Sequence, residues 1–302
     1  MTAVYRGRFA PTPSGPLHFG SIVAAVGSYL EARTHRGEWH LRIDDLDPPR
    51  VVPGAADSIL RCLEQLGFEW DGPVIYQSQR APAYHAALHQ LRQRGVVYPC
   101  ACTRKEIAHG ARTGVEGPIY PGTCRTGMPP GRHARALRLR TAGARVRFDD
   151  LVLGPQVRDL EREAGDFVLY RADGVFAFHL ASAVDDGELG MTDVVRGADL
   201  LESSARQIYV LGLLRLPVPR YAHLPVAVNA RGEKLSKQTF ADPVDPREPG
   251  AVLVRALQFL GHSAPDRLSR ADRLDVWQWA KANWRLEHVP RVAALPCEKP
   301  LA

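Results

Sequence analysis

The run Arg8-Phe9-Ala10-Pro11-Thr12-Pro13-Ser14-Gly15-Pro16-Leu17-His18-Phe19-Gly20-Ser21 restricts the fold of this chain more than any other stretch. Val4 to Arg8 reads as a short strand leading into it. Ile22 to Arg36 reads as a helix leaving it, with Ile22, Val26, Tyr29 and Leu30 on one apolar face. A stiff turn rich in proline and glycine between strand and helix leaves the first helical N–H groups unpaired at the positive end of the dipole. Such a turn can seat a phosphate chain. It is not the P-loop, since no Gly-Lys-Ser/Thr closes it, and it lacks the glycine spacing of dinucleotide-binding turns.

The following segments extend this start into a sheet. Trp39 to Ile43 is a candidate strand that ends in Asp44, Asp45 and Asp47. Ala55 to Leu66 is an amphipathic helix, and Val74 to Tyr76 a third strand. Alternation of this kind predicts an α/β fold with a Rossmann-type, doubly wound parallel sheet. Ligands of such sheets lie beyond the carboxyl ends of the strands, so the opening turn and Asp44, Asp45 and Asp47 are expected to face one crevice. Ala83 to Arg94 reads as a helix. From Tyr98 to Gly131 cysteine, glycine, proline and arginine replace periodic apolar residues, and short β-like runs follow at Leu137–Arg140, Val146–Phe148, Phe167–Tyr170 and Val175–Phe178. We therefore expect residues 1–82 to form the first half of the sheet domain and 83–178 an inserted α+β module. Residues 179–242 would form the second half, and 243–302 a short helical C-terminal region. Arg125, Arg132, Arg135, Arg138, Arg140, Arg145 and Arg147 would give the module a phosphate-binding face. Ser203–Leu214 is a further helix and Tyr221–Val228 a strand. Ala251–Leu260 and Asp272–Trp284 are two last helices, with a tail from Pro290 expected to be disordered.

Composition narrows the function. No window reaches the ~18 apolar residues of a membrane span, and no charged-then-apolar leader opens the chain, so a cytoplasmic protein with no membrane partner is expected. The net charge of +6 favours a polyanionic partner. Of the 39 basic residues five are lysine, and two of these fall in Lys234-Leu235-Ser236-Lys237. That loop follows a strand and the flanking Gly232. Compact ammonium groups there suit a polyphosphate that gains charge as it leaves. The five cysteines are odd in number, which argues against a disulfide framework. Cys100, Cys102 and Cys124 lie within a 25-residue window and supply three soft ligands. Structural zinc takes four. His109, His133 and Tyr120 are the candidates for the fourth, and ligand chemistry alone favours histidine.

Taken together, the turn and the lysine loop resemble the two motifs of class I aminoacyl-tRNA synthetases of the glutamate and glutamine branch. His18-Phe19-Gly20-Ser21 stands where that family has His-Ile-Gly-His, and Lys234-Leu235-Ser236-Lys237-Gln238 where it has Lys-Met-Ser-Lys-Ser. The resemblance implies ATP bound by Pro11, His18, Gly20, Ser21 and Lys237, with His18, Lys234 and Lys237 as catalytic groups and magnesium accompanying the nucleotide. It implies glutamate bound by Arg8, Ala10, Thr12, Asp44, Phe178 and Arg196. Arg8 and Arg196 would meet carboxylates and Asp44 the ammonium. Asp44 replaces the family's usual glutamate in Arg42-Ile43-Asp44-Asp45, and Phe178 its usual tyrosine, so the hydroxyl of that ring is lost. The spacing Cys-x-Cys, then Tyr-x-x-x-Cys, is similar to the zinc site of truncated glutamyl-tRNA synthetase paralogues. That similarity implies one structural zinc on Cys100, Cys102, Tyr120 and Cys124. The chain ends about 60 residues after the lysine loop, which leads us to expect no second RNA-reading domain. Over nearly the whole length the chain resembles those paralogues. They activate glutamate with ATP without tRNA and transfer it to queuosine in the anticodon of tRNA(Asp). A monomer is expected. The alternatives are an enzyme charging a tRNA 3′ end, a nucleotidyltransferase of similar fold, and a zinc-stapled RNA-binding module.

Overall fold

The computed structural model describes residues 4–109, 111–114, 117–229, 231–234 and 243–297. Its first elements are β1 (Arg6–Phe9), α1 (Phe19–Thr34), β2 (Glu38–Ile43), α2 (Ala55–Gln65), β3 (Ile75–Tyr76) and α3 (Ala81–Gln93). Next come β4 (Val97–Cys100), α4 (Arg104–Ala108), the two-residue strands β5 (Thr113–Gly114) and β6 (Gly117–Pro118), β7 (Ala136–Leu139), β8 (Arg145–Asp150), β9 (Gly154–Asp159), α5 (Leu160–Glu163) and β10 (Phe167–Tyr170). The chain then returns through α6 (Phe178–Glu188), β11 (Asp193–Gly197), α7 (Leu201–Leu214), β12 (Arg220–Leu224) and β13 (Val226–Val228). It closes with α8 (Pro249–Phe259), α9 (Arg273–Asn283) and β14 (Ala294–Pro296).

The expected parallel sheet is present in two halves. In the first, β1, β2 and β3 pair in parallel, with Arg8 opposite His40. In the second, β11 pairs in parallel with β12, and β12 with the end of β8. β1 runs beside β11, where the Thr192 N–H donates to the Arg6 carbonyl at 3.0 Å. The hairpin β8–β9 falls in the stretch expected to be inserted, yet it is hydrogen-bonded to a strand of the second half. β4, β7 and β10 form a separate antiparallel sheet.

Three sequence expectations are corrected. Val175–Phe178 is not a strand: Phe176 makes an isolated bridge to Tyr170, and Phe178 already opens α6. Tyr221–Val228 is two strands, because Pro225 has no N–H with which to continue a ladder. Part of the tail is ordered, since Ala294–Pro296 pairs in parallel with Val226–Val228. The main core wraps α1, whose Ile22, Val26, Tyr29 and Leu30 are buried together with Trp39 of β2 and Leu63 of α2. The C-terminal helices join the same core through Val252, Leu257 and Trp277. No helix among the described residues is long and apolar enough to cross a membrane.

Candidate active site

The opening turn places two kinds of group at the end of β1. α1 begins at Phe19, three residues before the expected start, because His18 caps it. His18 is extended (φ −106°, ψ 171°), and its Nδ1 accepts the Ser21 N–H at 3.3 Å. Gly20 and Ser21 consequently lie in the first turn, where N–H groups converge on the positive end of the dipole. The tight path before it needs Gly15 at φ 128°, a region open to glycine. On the other side of the turn the Asp44 N–H donates to the Pro11 carbonyl at 3.0 Å, which brings the ends of β1 and β2 together.

A cleft of about 830 Å³ opens over these strand ends. The turn lines it with Arg8, Ala10, Pro11, Thr12, His18, Gly20 and Ser21. Asp44, Phe178, Arg196 and Lys234 complete its walls. Every residue assigned above to ATP or glutamate therefore faces one space, except Lys237, which lies outside the described residues. Lys234 is ion-paired with Asp199 at 2.6 Å. The Val244 N–H donates to the Leu17 carbonyl at 3.0 Å, so the chain beyond the lysine loop rejoins the fold beside His18. Phe178, the first residue of α6, is 38% exposed at the cleft. Asp45 and Asp47 do not line the cleft, contrary to expectation. Asp45 accepts from the Ser78 N–H and hydroxyl (2.8 and 2.7 Å), and Asp47 pairs with Arg171 at 2.9 Å.

Charge is distributed unevenly across the floor. The Nε and Nη2 edge of Arg8 is bidentate to Asp186 (3.1 and 3.0 Å), and Arg42 Nη1 reaches the same carboxylate at 2.9 Å. Burial raises the Asp186 carboxyl, but Arg8 and Arg42 outweigh it and hold the group below its ordinary value. Arg42 also binds Asp44 at 2.6 Å. There burial prevails, and the Asp44 carboxyl stands above its ordinary value. Arg196 has no such partner among the described residues. Its hydrogen bonds go to Ser204 Oγ (2.8 Å), Gln207 Oε1 (2.7 Å) and His223 Nε2 (3.4 Å), all uncharged acceptors. Burial and then the positive charge of Arg8 bring Arg196 down to about 10, which still leaves it cationic at neutral pH. A buried cation with no carboxylate in contact favours an anionic ligand. The Asp44 carboxylate, on the wall of the same cleft, favours a cationic one. Facing one space, the two suit a zwitterion.

A second cluster sits in the inserted stretch. The sulfurs of Cys100, Cys102 and Cys124 all lie within 4.8 Å of one another, close enough to share one metal ion. The Tyr120 hydroxyl is 3.3 Å from Cys100 Sγ and 3.6 Å from Cys102 Sγ. His109 and His133 are exposed and outside this group, so histidine, the ligand that chemistry alone favoured, is not beside the sulfurs. Of the arginines expected to form a phosphate-binding face, Arg125 is bound to Asp166, Arg132 to Glu106, Arg140 to the Arg125 carbonyl, and Arg138 is buried against the Tyr120 ring, whereas Arg135, Arg145 and Arg147 are exposed.

Sequence reasoning missed Asp186, Ser182, Ser204, Gln207, His223 and Asp150. The one available signal was the carboxylate pair Asp185-Asp186 inside a segment otherwise apolar.

The pattern of the family described as tRNA synthetases class I (E and Q), catalytic domain, matches residues 4–248. A glutamyl-Q tRNA(Asp) synthetase of Aromatoleum aromaticum is 56% identical over 95% of this chain and 91% of its own length. The one of Chromobacterium violaceum is 55% identical over 99% of both chains. Among solved structures, the glutamate-tRNA synthetase of Elizabethkingia anophelis superposes with a TM-score of 0.78 at 26% identity, over 97% of this chain and 68% of that one. The cleft, its two motifs and these likenesses agree: the chain belongs to the class I tRNA synthetases of the E and Q type, and within them to the family of the glutamyl-Q tRNA(Asp) synthetases.

Proposed function

We propose that the chain activates L-glutamate with ATP, without tRNA, and transfers the glutamyl group to queuosine in the anticodon of tRNA(Asp). The observation that carries the reading is the shared cleft, which a helix N-terminus, Arg196 and the carboxylate of Asp44 all line. The Gly20 N–H and the Ser21 hydroxyl, at the helix N-terminus, would hold phosphate oxygens. Arg196, and the part of Arg8 not taken by Asp186, would hold the carboxylates of glutamate, and Asp44 its ammonium. A carboxylate oxygen of glutamate then attacks the α-phosphorus in line. The new O–P bond gives glutamyl-adenylate, and the bond to the β-phosphate oxygen breaks to release pyrophosphate. His18, Lys234 and Lys237 would stabilise the charge that moves onto the leaving oxygens, by electrostatics rather than proton transfer. Magnesium would travel with ATP and screen its phosphates.

The cysteine cluster fits structural zinc. A tetrahedral ion with Zn–S of about 2.3 Å sets sulfurs about 3.8 Å apart, and Cys102 and Cys124 stand at 3.6 Å. The Tyr120 oxygen, which accepts the Cys124 N–H at 2.8 Å, would take the remaining corner. Zinc on Cys100, Cys102, Tyr120 and Cys124 would staple a region with little apolar core of its own.

Exchange of pyrophosphate into ATP should occur with glutamate alone, and a strict need for tRNA would overturn the first half of the proposal. Labelled glutamate should enter tRNA(Asp) that carries queuosine and not the queuosine-free RNA. Equal labelling of both would mean charging of a 3′ end instead.

A further inference from the structure

Arg196 is held by neutral groups, and the way those groups are held fixes where the guanidinium points. It lies on β11, and its ladder partner on β12 is His223. Side chains at paired positions leave a sheet on the same face, so the imidazole meets the guanidinium. Ser204 of α7 lies between them, its Oγ 2.8 Å from both His223 Nε2 and Arg196 Nη2. On the far side of the ring, His223 Nδ1 is 2.5 Å from Asp150 Oδ2, at the end of β8. The other oxygen of Asp150 accepts the N–H groups of Val152, Leu153 and His223 at 3.0, 2.8 and 3.2 Å. Asp150, Arg196, Ser204 and His223 are all buried.

Asp150, surrounded by N–H donors, is the acceptor, so the imidazole proton sits on Nδ1. Nε2 then carries a lone pair for Arg196 Nε–H and for the Ser204 hydroxyl, which also reaches the Leu200 carbonyl at 3.2 Å, while Ser204 Oγ accepts from Arg196 Nη2. The order serine, histidine, aspartate is that of a hydrolase triad. Here, however, the serine is fully buried and the relay ends on a guanidinium that lines the cleft.

We infer that His223, fixed by Asp150 as its Nδ1–H tautomer, is a positioning residue that aims Arg196 at the substrate carboxylate without adding a competing negative charge. This rests on Arg196 being a substrate contact, as proposed above. A carboxylate in place of His223 would occupy Arg196 internally, as Asp186 occupies Arg8. An imidazolium would set N–H against N–H. The charged and titratable groups around the ring are Asp150 from β8, Arg196 from β11, Asp199 from the turn before α7, and Tyr221 on its own strand. Burial and Arg196 keep the ring neutral against the pull of Asp150.

Three variants separate the two ends of the ring. His223→Asn keeps an N–H for Asp150 but has no atom that reaches Arg196, whereas His223→Gln keeps an acceptor on the Arg196 side. Asp150→Asn offers Nδ1 a donor and moves the imidazole proton to Nε2. In pyrophosphate exchange, His223→Asn and Asp150→Asn should raise KM for glutamate about tenfold or more, the scale of one lost hydrogen bond to a charged group. KM for ATP should stay within about twofold, and His223→Gln should recover most of the loss. KM for glutamate of the unaltered protein should be flat between about pH 7 and 8.5, as a ring that titrates below the ordinary histidine value requires. Parallel rises in both KM values, or lost thermal stability with KM unchanged, would mean a merely structural role and overturn the inference. Should His223→Asn fail to fold, ¹⁵N spectra of the imidazoles decide: an Nδ1–H tautomer supports it, and an Nε2–H tautomer or an imidazolium overturns it. Arg196→Gln distinguishes the premise. Intact glutamate-dependent exchange in that variant sinks the substrate-contact reading, whereas its loss beside an unaffected His223→Asn sinks only the positioning role.

Discussion

Asp186 ties together two arginines that come from different strands, and its removal should therefore be felt in both stability and binding. Asp186→Asn leaves Arg8 and Arg42 buried with one carboxylate fewer, a change that typically costs about 3–5 kcal/mol. We expect a clear drop in melting temperature at pH 7 and a higher KM for glutamate. The acid limb of stability should change as well. The Asp186 carboxyl lies below its ordinary value of 3.8 in the fold. Its contribution is thus fully present above that value and is lost as pH falls through the lowered one, so the difference between the native protein and the variant should shrink in strong acid. A penalty that stayed constant down to pH 2 would show that the carboxylate charge is not its source. In the sequence this residue shows only as half of the pair Asp185-Asp186, with nothing to say which arginines it meets. Arg8, Asp44 and His18 are legible because each stands in a short motif whose spacing carries its chemistry. Asp186 is 178 positions from Arg8, and His223 is 73 from Asp150. Only the crossing of strands brings such pairs together, and no local pattern records it.

At the scale of elements, helical periodicity gave α1, α2, α3 and α7 to within a few residues: α2 and α3 each bury one apolar stripe, and α1, buried nearly all round, keeps its apolar residues at helical spacing. α6 was misread because Val175-Phe176-Ala177-Phe178 is a short apolar run, which is as compatible with a strand as with the entry to a buried helix. The docking of α9 on α1 was also invisible, though both helices were expected. It depends on Trp277, whose Nε1 donates to the Leu66 carbonyl at 2.9 Å, and on Trp284, whose Nε1 donates to Glu31 Oε2 at 2.7 Å. Burial raises the Glu31 carboxyl above its ordinary 4.5, and the Trp284 N–H is the largest influence opposing that rise. Trp284→Phe keeps the ring and deletes the donor. With Glu31 ionised the loss should be about 1.5–3 kcal/mol, the worth of a hydrogen bond to a charged group. The sign follows from the raised carboxyl: the fold holds the proton more tightly than the unfolded chain, so acid relieves the buried charge. The destabilisation by Trp284→Phe should accordingly be largest where Glu31 is ionised and diminish as pH falls toward the ordinary carboxyl value of 4.5, as melting temperatures along that descent would reveal. An equal loss at both ends would assign it to packing alone.

For the molecule as a whole, the cleft and the cysteine cluster are built by different parts of the chain. Among the described residues, the cleft takes nothing from 53–177, and the sulfurs lie in a small cluster with Tyr98, Ala101 and Tyr120. The two regions are nevertheless linked, since β8 hydrogen-bonds to β12 and Arg171 pairs with Asp47. Alternation of strands and helices made the parallel sheet legible. The return of β8–β9 to that sheet was not, because a hairpin carries no mark of which sheet it joins. This arrangement predicts how the protein responds to loss of metal. If the proposed zinc is bound, a strong chelator should loosen the segment around Cys100–Cys124, seen as faster amide exchange there, because the thiols would take up protons in place of the ion and the local core is small. Glutamate-dependent pyrophosphate exchange should persist at a substantial fraction of its rate, since no cleft residue is a ligand. Transfer of glutamate to RNA should fall further, and added zinc should restore it. Cys124→Ser should reproduce the chelated state without reagent. Loss of both activities in parallel would instead mean that the linkage through β8 and Arg171 transmits the disorder to the strand ends, and that sheet and insertion fold as one unit.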